Sequence, residues 1–206
     1  MKQRNKIIVA SSIIALIILA GIVVVGIWGF NKELRFAQSQ KIDIYVEQRV
    51  DTDKIKTIAN EVLGMHNMVQ TVEIYQDMVT IRATSISEEQ RNTIVNKVKE
   101  IYEFEQTADK VNIDTVPSTR IRDMYKQYVL PLIISGVFVV THMGIRYRKK
   151  GILKVVATTI FTPVIAELVL LSWMAIVRIP IGRFTPILII LVYIASIWFV
   201  MNKNEK

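Results

Sequence analysis

The residue with the most unusual setting in this sequence is Glu167, an acid inside a long apolar run. It lies about twelve residues into the run from Val155 to Val177, which places it roughly 18 Å from the start of that run in a helix. A carboxylate at such a depth in hydrocarbon costs several kcal/mol, so it is protonated, hydrogen-bonded inside a bundle, or functional. Two interpretations stay open: a structural hydrogen bond or partner-subunit contact, and the handling of an ion or proton.

Three other polar side chains in apolar runs bear on the role of Glu167. By the same depth count, Ser135 and Tyr193 are suitable hydrogen-bond partners for its carboxyl group. His142 lies only about 6 Å from the basic end of its run, so we expect no direct pair with Glu167. Glu167, Tyr193 and Ser135 are therefore the candidate functional residues within the membrane.

The stretch from Asn31 to Gln127 contains no constellation of side chains for catalysis. His66 is its only histidine, and capping of a helix N-terminus explains Asp51 and Asp53 more readily than a metal pair does. The chain has no cysteine, which excludes disulfides and thiolate sites. Because nucleophile, metal set and nucleotide loop are all missing from the sequence, we expect a protein that is not an enzyme and uses no cofactor or metal.

Four apolar runs position the membrane residues. They cover Ile7 to Phe30, Tyr128 to Ile145, Val155 to Val177 and Phe184 to Met201. Each is long enough to cross about 30 Å of hydrocarbon as a helix. The first run follows the basic segment MKQRNK and is longer than the apolar part of a signal peptide, so we interpret it as an uncleaved signal anchor. The sequence predicts an α-helical membrane protein with four transmembrane helices.

The positive charge of the chain is concentrated beside these runs. Residues 31–127 contain 14 Lys and Arg against 16 Asp and Glu, although the whole chain has a net charge of +8. The densest cluster is the loop GIRYRKKGILK, whose cations are Arg146, Arg148, Lys149, Lys150 and Lys154. This positive-inside pattern predicts a multi-pass protein of the cytoplasmic membrane, with both termini and this loop in the cytoplasm and residues 31–127 outside. Arg178 and Arg183, in the second external turn, are exceptions.

The five loop cations are best explained as topology anchors. Anionic lipid headgroups add roughly 1 kcal/mol per cation near the surface, so contact with the lipid bilayer accompanies this role. A nucleic-acid partner is not expected, because no basic soluble domain supports the loop.

Between Lys41 and Val116 the sequence alternates strand and helix patterns. The predicted strands are KIDIYVE, MVQTVEIY, MVTIRAT and KVNIDTV, and the predicted helices are DTDKIKTIANEVLG and SEEQRNTIVNKVKEIYEF. Gly64 marks the end of the first helix, Ser87 and Gln90 form a capping-box pattern before the second, and Gln76-Asp77 is a predicted hairpin turn. The order β-α-β-β-α-β predicts an extracytoplasmic α+β domain of the ferredoxin-like kind.

The predicted domains follow from these patterns. Residues 1–30 comprise a cytoplasmic N-terminus and the first transmembrane helix, and residues 31–127 comprise the extracytoplasmic ferredoxin-like domain with its linkers. Residues 128–206 comprise a three-helix transmembrane region with a cytoplasmic C-terminus.

The plan resembles that of SecF and its partner SecD, members of the resistance-nodulation-division superfamily. Residues 50–98 are similar to the small periplasmic domain of SecF in the order of their elements. Residues 130–154 resemble the second span of the family, with Ile145-Arg146-Tyr147 at its aromatic-basic turn. Residues 186–206 resemble the later span that ends at the cytoplasmic side.

The resemblance implies an accessory subunit of the Sec machinery that works with a SecD-like subunit and the Sec channel on exported polypeptides. Some family positions differ: Val192 replaces the glycine before Tyr193, and Ser196 and Ile197 occupy the Asn-Asp positions. The family's His-Asp pair falls near residues 161–164, where no acid stands. In the family, such carboxylates are thought to couple proton flow to motion of the outer domain. The chain also has four predicted spans, whereas SecF typically has six.

A second hypothesis belongs to another functional class. The chain would then be a membrane-anchored structural or sensory module whose extracytoplasmic domain binds a protein or an envelope component. Recovery of a SecD-like subunit or the channel with this chain distinguishes the two hypotheses.

Overall fold

The computed structural model describes residues 2–71 and 77–205, which form two compact units. One unit comprises Met1–Glu33 and Ile121–Lys206, and the other comprises Leu34–Arg120. In chain order the helices and strands are α1 (Lys2–Trp28), β1 (Ser39–Tyr45), α2 (Thr52–Leu63), β2 (Asn67–Thr71), β3 (Met78–Ala83), α3 (Glu88–Ile101), β4 (Ile113–Val116), α4 (Ile121–Arg146), α5 (Ile152–Val177) and α6 (Thr185–Glu205).

Helices α1, α4, α5 and α6 are long and apolar enough to cross a membrane. This confirms the prediction of four candidate transmembrane helices. Helix α4 begins at Ile121 rather than at Tyr128, because backbone hydrogen bonding continues through the polar residues that precede the apolar run. Helix α1 ends before the predicted limit of Phe30, since Gly29 has a φ of 65°, a conformation that favours glycine and ends the helix.

Helix α5 is the centre of the first unit and packs against α1, α4 and α6. At the contact with α1, Gly21 lies so close to Ser172 that a Cβ atom on Gly21 would overlap the serine side chain. Small residues at such a contact allow two backbones to approach closely, which is how transmembrane helices gain packing energy.

In the second unit, the four strands form one antiparallel sheet in the order β2-β3-β1-β4. Strand β1 is central, pairing Ile42 with Ile81 of β3 and with Ile113 of β4. The predicted alternation is confirmed within β1, because Ile42 and Ile44 are both buried on one side of the pleat, and Val46, directly after the strand, is buried as well.

Helices α2 and α3 pack against each other and supply apolar side chains to the core of this unit. Its fully buried side chains include Ile42, Ile44, Ile55, Val79, Ile81, Ile94, Val95 and Val98. Each buried isoleucine or valine contributes about 1.5–3 kcal/mol relative to an exposed one. The sequence-predicted apolar stripes of both helices therefore hold the sheet and the helices together.

The predicted helix caps of this unit are confirmed. The Asp51 side chain accepts a hydrogen bond from the backbone N–H of Asp53 at 3.0 Å, so Asp51 is the N-cap of α2. Gly64, with a φ of 76°, follows the last residue of that helix. Ser87 and Gln90 form both bonds of the capping box at the start of α3.

The bounds of the predicted strands differ from the structure or lie beyond its described part. Strand β1 covers Ser39–Tyr45 rather than residues 41–47, and β3 ends at Ala83 rather than at Thr84. Strand β4 begins at Ile113 rather than at Lys110, because Ala108–Lys110 form a short 3-10 turn. The described part of β2 ends at Thr71. The rest of the predicted strand MVQTVEIY, and Gln76 of the predicted hairpin turn, lie outside the described residues.

Candidate intramembrane site

Glu167 lies near the middle of α5. It is about 22 Å along the helix from Ile152 and about 15 Å from Val177. Both oxygens of its carboxyl group are buried, and neither has a hydrogen-bond partner among the described residues. The structure thus leaves unsatisfied the one acid of the four apolar runs.

Glu167 lines a cavity of about 660 Å³ between α4, α5 and α6. Apolar side chains form most of its wall. Val137 of α4 and Val164 of α5 also line it, and they are 62% and 49% exposed, so the cavity opens to the surface between these two helices. Its volume lies within the usual range for small-molecule sites, and its chemistry is mainly apolar with a few polar groups.

Tyr193 of α6 lines the same cavity. Its hydroxyl group is buried and has no partner among the described residues. The hydrogen bond to Glu167 that the depth count favours is therefore not formed, although the fold brings both residues to one cavity. A phenol can donate or accept a hydrogen bond, so it adds a second unsatisfied polar group to this wall.

The other two membrane residues singled out by the sequence lie elsewhere. Ser135 is half-buried on α4, and its neighbour Gly136, not Ser135 itself, is among the described residues that line the cavity. His142 is exposed near the end of α4. Ser135 and His142 are thus not part of the wall that contains Glu167.

Pro163 adds an acceptor that the depth count did not identify. Proline has no N–H, so Pro163 gives no helical hydrogen bond to the Thr159 carbonyl oxygen four residues before it. Both residues are buried in α5 and line the cavity. The hydroxyl group of Thr159 donates to the Val155 carbonyl at 2.8 Å. This hydroxyl proton is therefore not the missing donor for the Thr159 carbonyl. The sequence signal that could have identified the Thr159 carbonyl is its position four residues before a proline inside an apolar run.

At one end of this bundle, α4 and α6 are joined through Glu205. The Tyr147 hydroxyl donates to the Glu205 carboxylate at 3.2 Å, and the Arg146 guanidinium lies 3.3 Å from the same oxygen. Tyr147 also belongs to an apolar cluster with Met143, Val155 and Val200. Loss of contact with water raises the pKa of Tyr147 above its ordinary value of 10.0, so the phenol keeps its proton and remains the donor.

The remaining cations of the basic loop have a different setting. Arg148, Lys149 and Lys150 form a 3-10 turn after Tyr147, and Lys154 lies in the first turn of α5. All four are exposed, and none of them forms an ion pair with a described residue. Arg146 therefore has a structural partner, while the other four predicted anchors present their charge to the surroundings.

At the opposite end of the bundle, two segments form what we call the interhelical strap: residues 29–33 after α1 and residues 178–183 between α5 and α6. The Ile181 N–H donates to the Asn31 carbonyl at 2.8 Å, and the Glu33 N–H donates to the Ile181 carbonyl at 3.0 Å. These bonds fix the end of α1 to the turn that joins the two later helices.

Side chains add further contacts to the interhelical strap. The Arg178 guanidinium donates to the Gly29 carbonyl at 2.8 Å, and the Glu33 carboxylate accepts the Arg183 N–H at 3.0 Å. A Cβ atom at Gly182 would overlap the Glu33 side chain, so glycine is required for this approach. Arg178 thus has a local structural role at this end of the bundle.

The last findings concern metal ligands and comparisons with known proteins. The described residues contain no group of three or more His, Asp and Glu side chains that could hold a metal ion. A comparison with models of known protein families gives no match for this chain, and a comparison with curated proteins gives none.

Proposed function

We propose that the chain is a shortened SecF-like accessory subunit of the Sec protein-export machinery. In this proposal it assembles in the cytoplasmic membrane with a SecD-like subunit and the Sec channel, and it assists the passage of exported polypeptides. Both termini and the basic loop lie in the cytoplasm, and residues 31–127 lie outside.

The observation that carries the proposal is the insertion of a compact α+β unit between the first and second of four candidate spans. The sheet order β2-β3-β1-β4, with one helix after β1 and one after β3, supports a ferredoxin-like fold. Many unrelated functions use that fold, so the fold alone does not identify an export subunit. Its position in the membrane plan, together with the resemblance around Arg146 and Tyr147, makes the proposal specific.

The proposed role is assembly and support of the translocating complex. The family's His-Asp pair falls near residues 161–164 of this sequence, so the chain has no acid there for proton coupling. Glu167 lies about one and a half helical turns further along α5. We assign it to assembly and not to proton coupling, because an unpaired carboxyl group in a helix bundle is a strong contact point for another helix.

Removal of the chain from its native cell tests this proposal. We expect slower conversion of exported precursors to their mature forms in a pulse-chase experiment, and recovery of the normal rate when the chain is restored. A version that lacks residues 39–116 provides the matched control, because it retains all four apolar helices and loses the outer sheet. Unchanged precursor conversion after complete removal of the chain would refute the export role.

A further inference from the structure

We propose that the cavity beside Glu167 receives one transmembrane helix of a different protein, and that a hydrogen-bond-donating side chain of that helix, from Lys, Arg, Asn or Gln, reaches the Glu167 carboxyl group. The inference rests on the proposed function, under which the protein that supplies the inserted helix is the SecD-like subunit. It adds the place of contact and the chemistry that selects the partner.

The cavity wall contains buried oxygen atoms that have no hydrogen-bond partner among the described residues. Glu167 contributes two buried oxygens without partners, and Thr159 contributes a carbonyl oxygen to which Pro163 gives no N–H. The Tyr193 hydroxyl, also buried and without a partner, can donate or accept, and the hydroxyl-bearing Thr141, exposed on α4, lines the cavity as well. Such a wall is complementary to a side chain that carries a positive charge or several N–H groups.

The chain itself offers no such side chain at this depth. Its four apolar runs contain no lysine, arginine, asparagine or glutamine, and His142 lies near the end of α4, away from the level of Glu167. A second copy of the chain would lack the donor for the same reason. Charge complementarity therefore selects a helix with a different sequence.

The opening of the cavity suits a helix. Val137, Val164 and Leu168 line it with exposed apolar side chains. Gly136 lies on the same wall and has open space beside its Cα atom, so a neighbouring backbone can approach closely there. A polar side chain inserted from an otherwise apolar helix would satisfy Glu167, whereas lipid tails provide no donor.

Site-specific photo-crosslinking in native membranes tests the inference in the full-length chain. A photoreactive residue is placed at Val137 or at Val164, and, as a matched control, at Ile187 of α6, which is 53% exposed and is not among the described residues lining the cavity. We expect Val137 and Val164 to crosslink to one transmembrane helix of the SecD-like subunit, and Ile187 to give no such product. The crosslinked peptide should contain a donor side chain within about one helical turn of the attachment point.

Variants of Glu167 then connect the crosslink to the acid. Glu167→Leu should reduce the yield from Val164 about tenfold, whereas Ser135→Ala, at a neighbouring position outside the cavity, should leave it unchanged. Glu167→Lys combined with a glutamate in place of the partner's donor should restore the yield. If Glu167→Leu does not accumulate, the peptide mapped from the Val164 probe in the otherwise unchanged chain still decides the outcome.

The possible results separate this inference from the proposed function. A donor-bearing helix from a protein other than a SecD-like subunit would support the cavity as a helix site and refute the proposed partner. Crosslinks of equal yield at Ile187, crosslinks only to copies of this chain, or a partner helix without a donor would overturn the inference even if precursor export depends on the chain.

Discussion

At the scale of single residues, Gly21 determines how closely α1 approaches α5. A Cβ atom at Gly21 would overlap the Ser172 side chain, whereas one at Gly26 of the same helix meets no atom within 4 Å. We predict that Gly21→Val destabilises the purified protein by about 1–3 kcal/mol, as overpacking of a tight contact does. The measurement is the unfolding free energy in detergent. Gly26→Val is the control and should be close to neutral, and equal effects of the two substitutions would disprove the close contact.

Tyr147 supplies a prediction that depends on pH. The pKa of its phenol is raised above 10.0 in the folded chain, chiefly by burial, so the folded state retains this proton to higher pH than the unfolded state does. Its contribution to stability is therefore fully present below about pH 10 and declines as the pH rises through the folded pKa. Tyr147→Phe should lower the unfolding free energy at neutral pH, because the Glu205 carboxylate loses this hydrogen bond.

The pH profile distinguishes this hydrogen bond from a general packing effect. The unfolding free energies of the original chain and of Tyr147→Phe should converge in strongly alkaline solution. A constant difference across the whole pH range would show that the Tyr147 hydroxyl does not act through its titratable proton.

Local residue patterns could be predicted from the sequence, and distant contacts could not. The bonds of Ser87 with Gln90 span three positions and have a recognised pattern. By contrast, Tyr147 and Glu205 are 58 positions apart, and their contact depends on how α4 and α6 pack. The sequence identified Tyr147 by resemblance and gave no signal for its partner.

At the scale of elements, the interhelical strap joins the end of α1 to the turn between α5 and α6. Arg178 contributes a side-chain hydrogen bond to Gly29, whereas Arg183 contributes its backbone N–H to Glu33. We predict that Arg178→Ala increases hydrogen exchange of the Ile181 and Glu33 amides about fivefold, corresponding to one hydrogen bond of about 1 kcal/mol. Exchange is measured on the intact protein in detergent.

Arg183→Ala is the matched control for this experiment, because it removes the same charge from the same turn and retains the backbone N–H. It should leave both exchange rates nearly unchanged. Equal acceleration by the two alanine substitutions would mean that positive charge, and not the bond to Gly29, stabilises the strap.

The limits of the elements show a second reason for incomplete prediction. Hydrophobicity located the apolar part of α4 but not its start, since the mainly polar segment 121–127 belongs to the same helix. In the same way, the 3-10 turn Ala108–Lys110 includes Lys110, the first residue of the predicted strand, and β4 begins only at Ile113. Periodicity identifies which elements exist more reliably than it identifies where they end.

At the scale of the whole molecule, the basic loop predicts opposite sides for the two polar regions. The chain has no cysteine, so single cysteines can be introduced at exposed positions without background. We predict that Ser85→Cys reacts with a membrane-impermeant maleimide on intact cells, and that Lys149→Cys reacts only after the membrane is opened. Reaction at Lys149→Cys in intact cells would contradict the positive-inside assignment.

The overall plan was the most predictable part of this chain, because long apolar runs and alternating strands have strong sequence signals. The cavity was not predictable, since it requires side chains from α4, α5 and α6 at once. Counting residues along the apolar runs predicted a similar membrane depth for Glu167 and Tyr193, but it could not establish whether the two side chains form a hydrogen bond. The sequence thus identified two residues of the candidate site, and the packing of three helices defined its shape.

Purification of the chain with its partners is the most direct test of the central claim. The chain, tagged at its own locus, is extracted in mild detergent and its companions are quantified by mass spectrometry against an untagged strain. A SecF-like subunit should recover a SecD-like subunit and the Sec channel at many times the background of that strain. Recovery of the intact chain at native abundance, with neither protein enriched, would contradict the account.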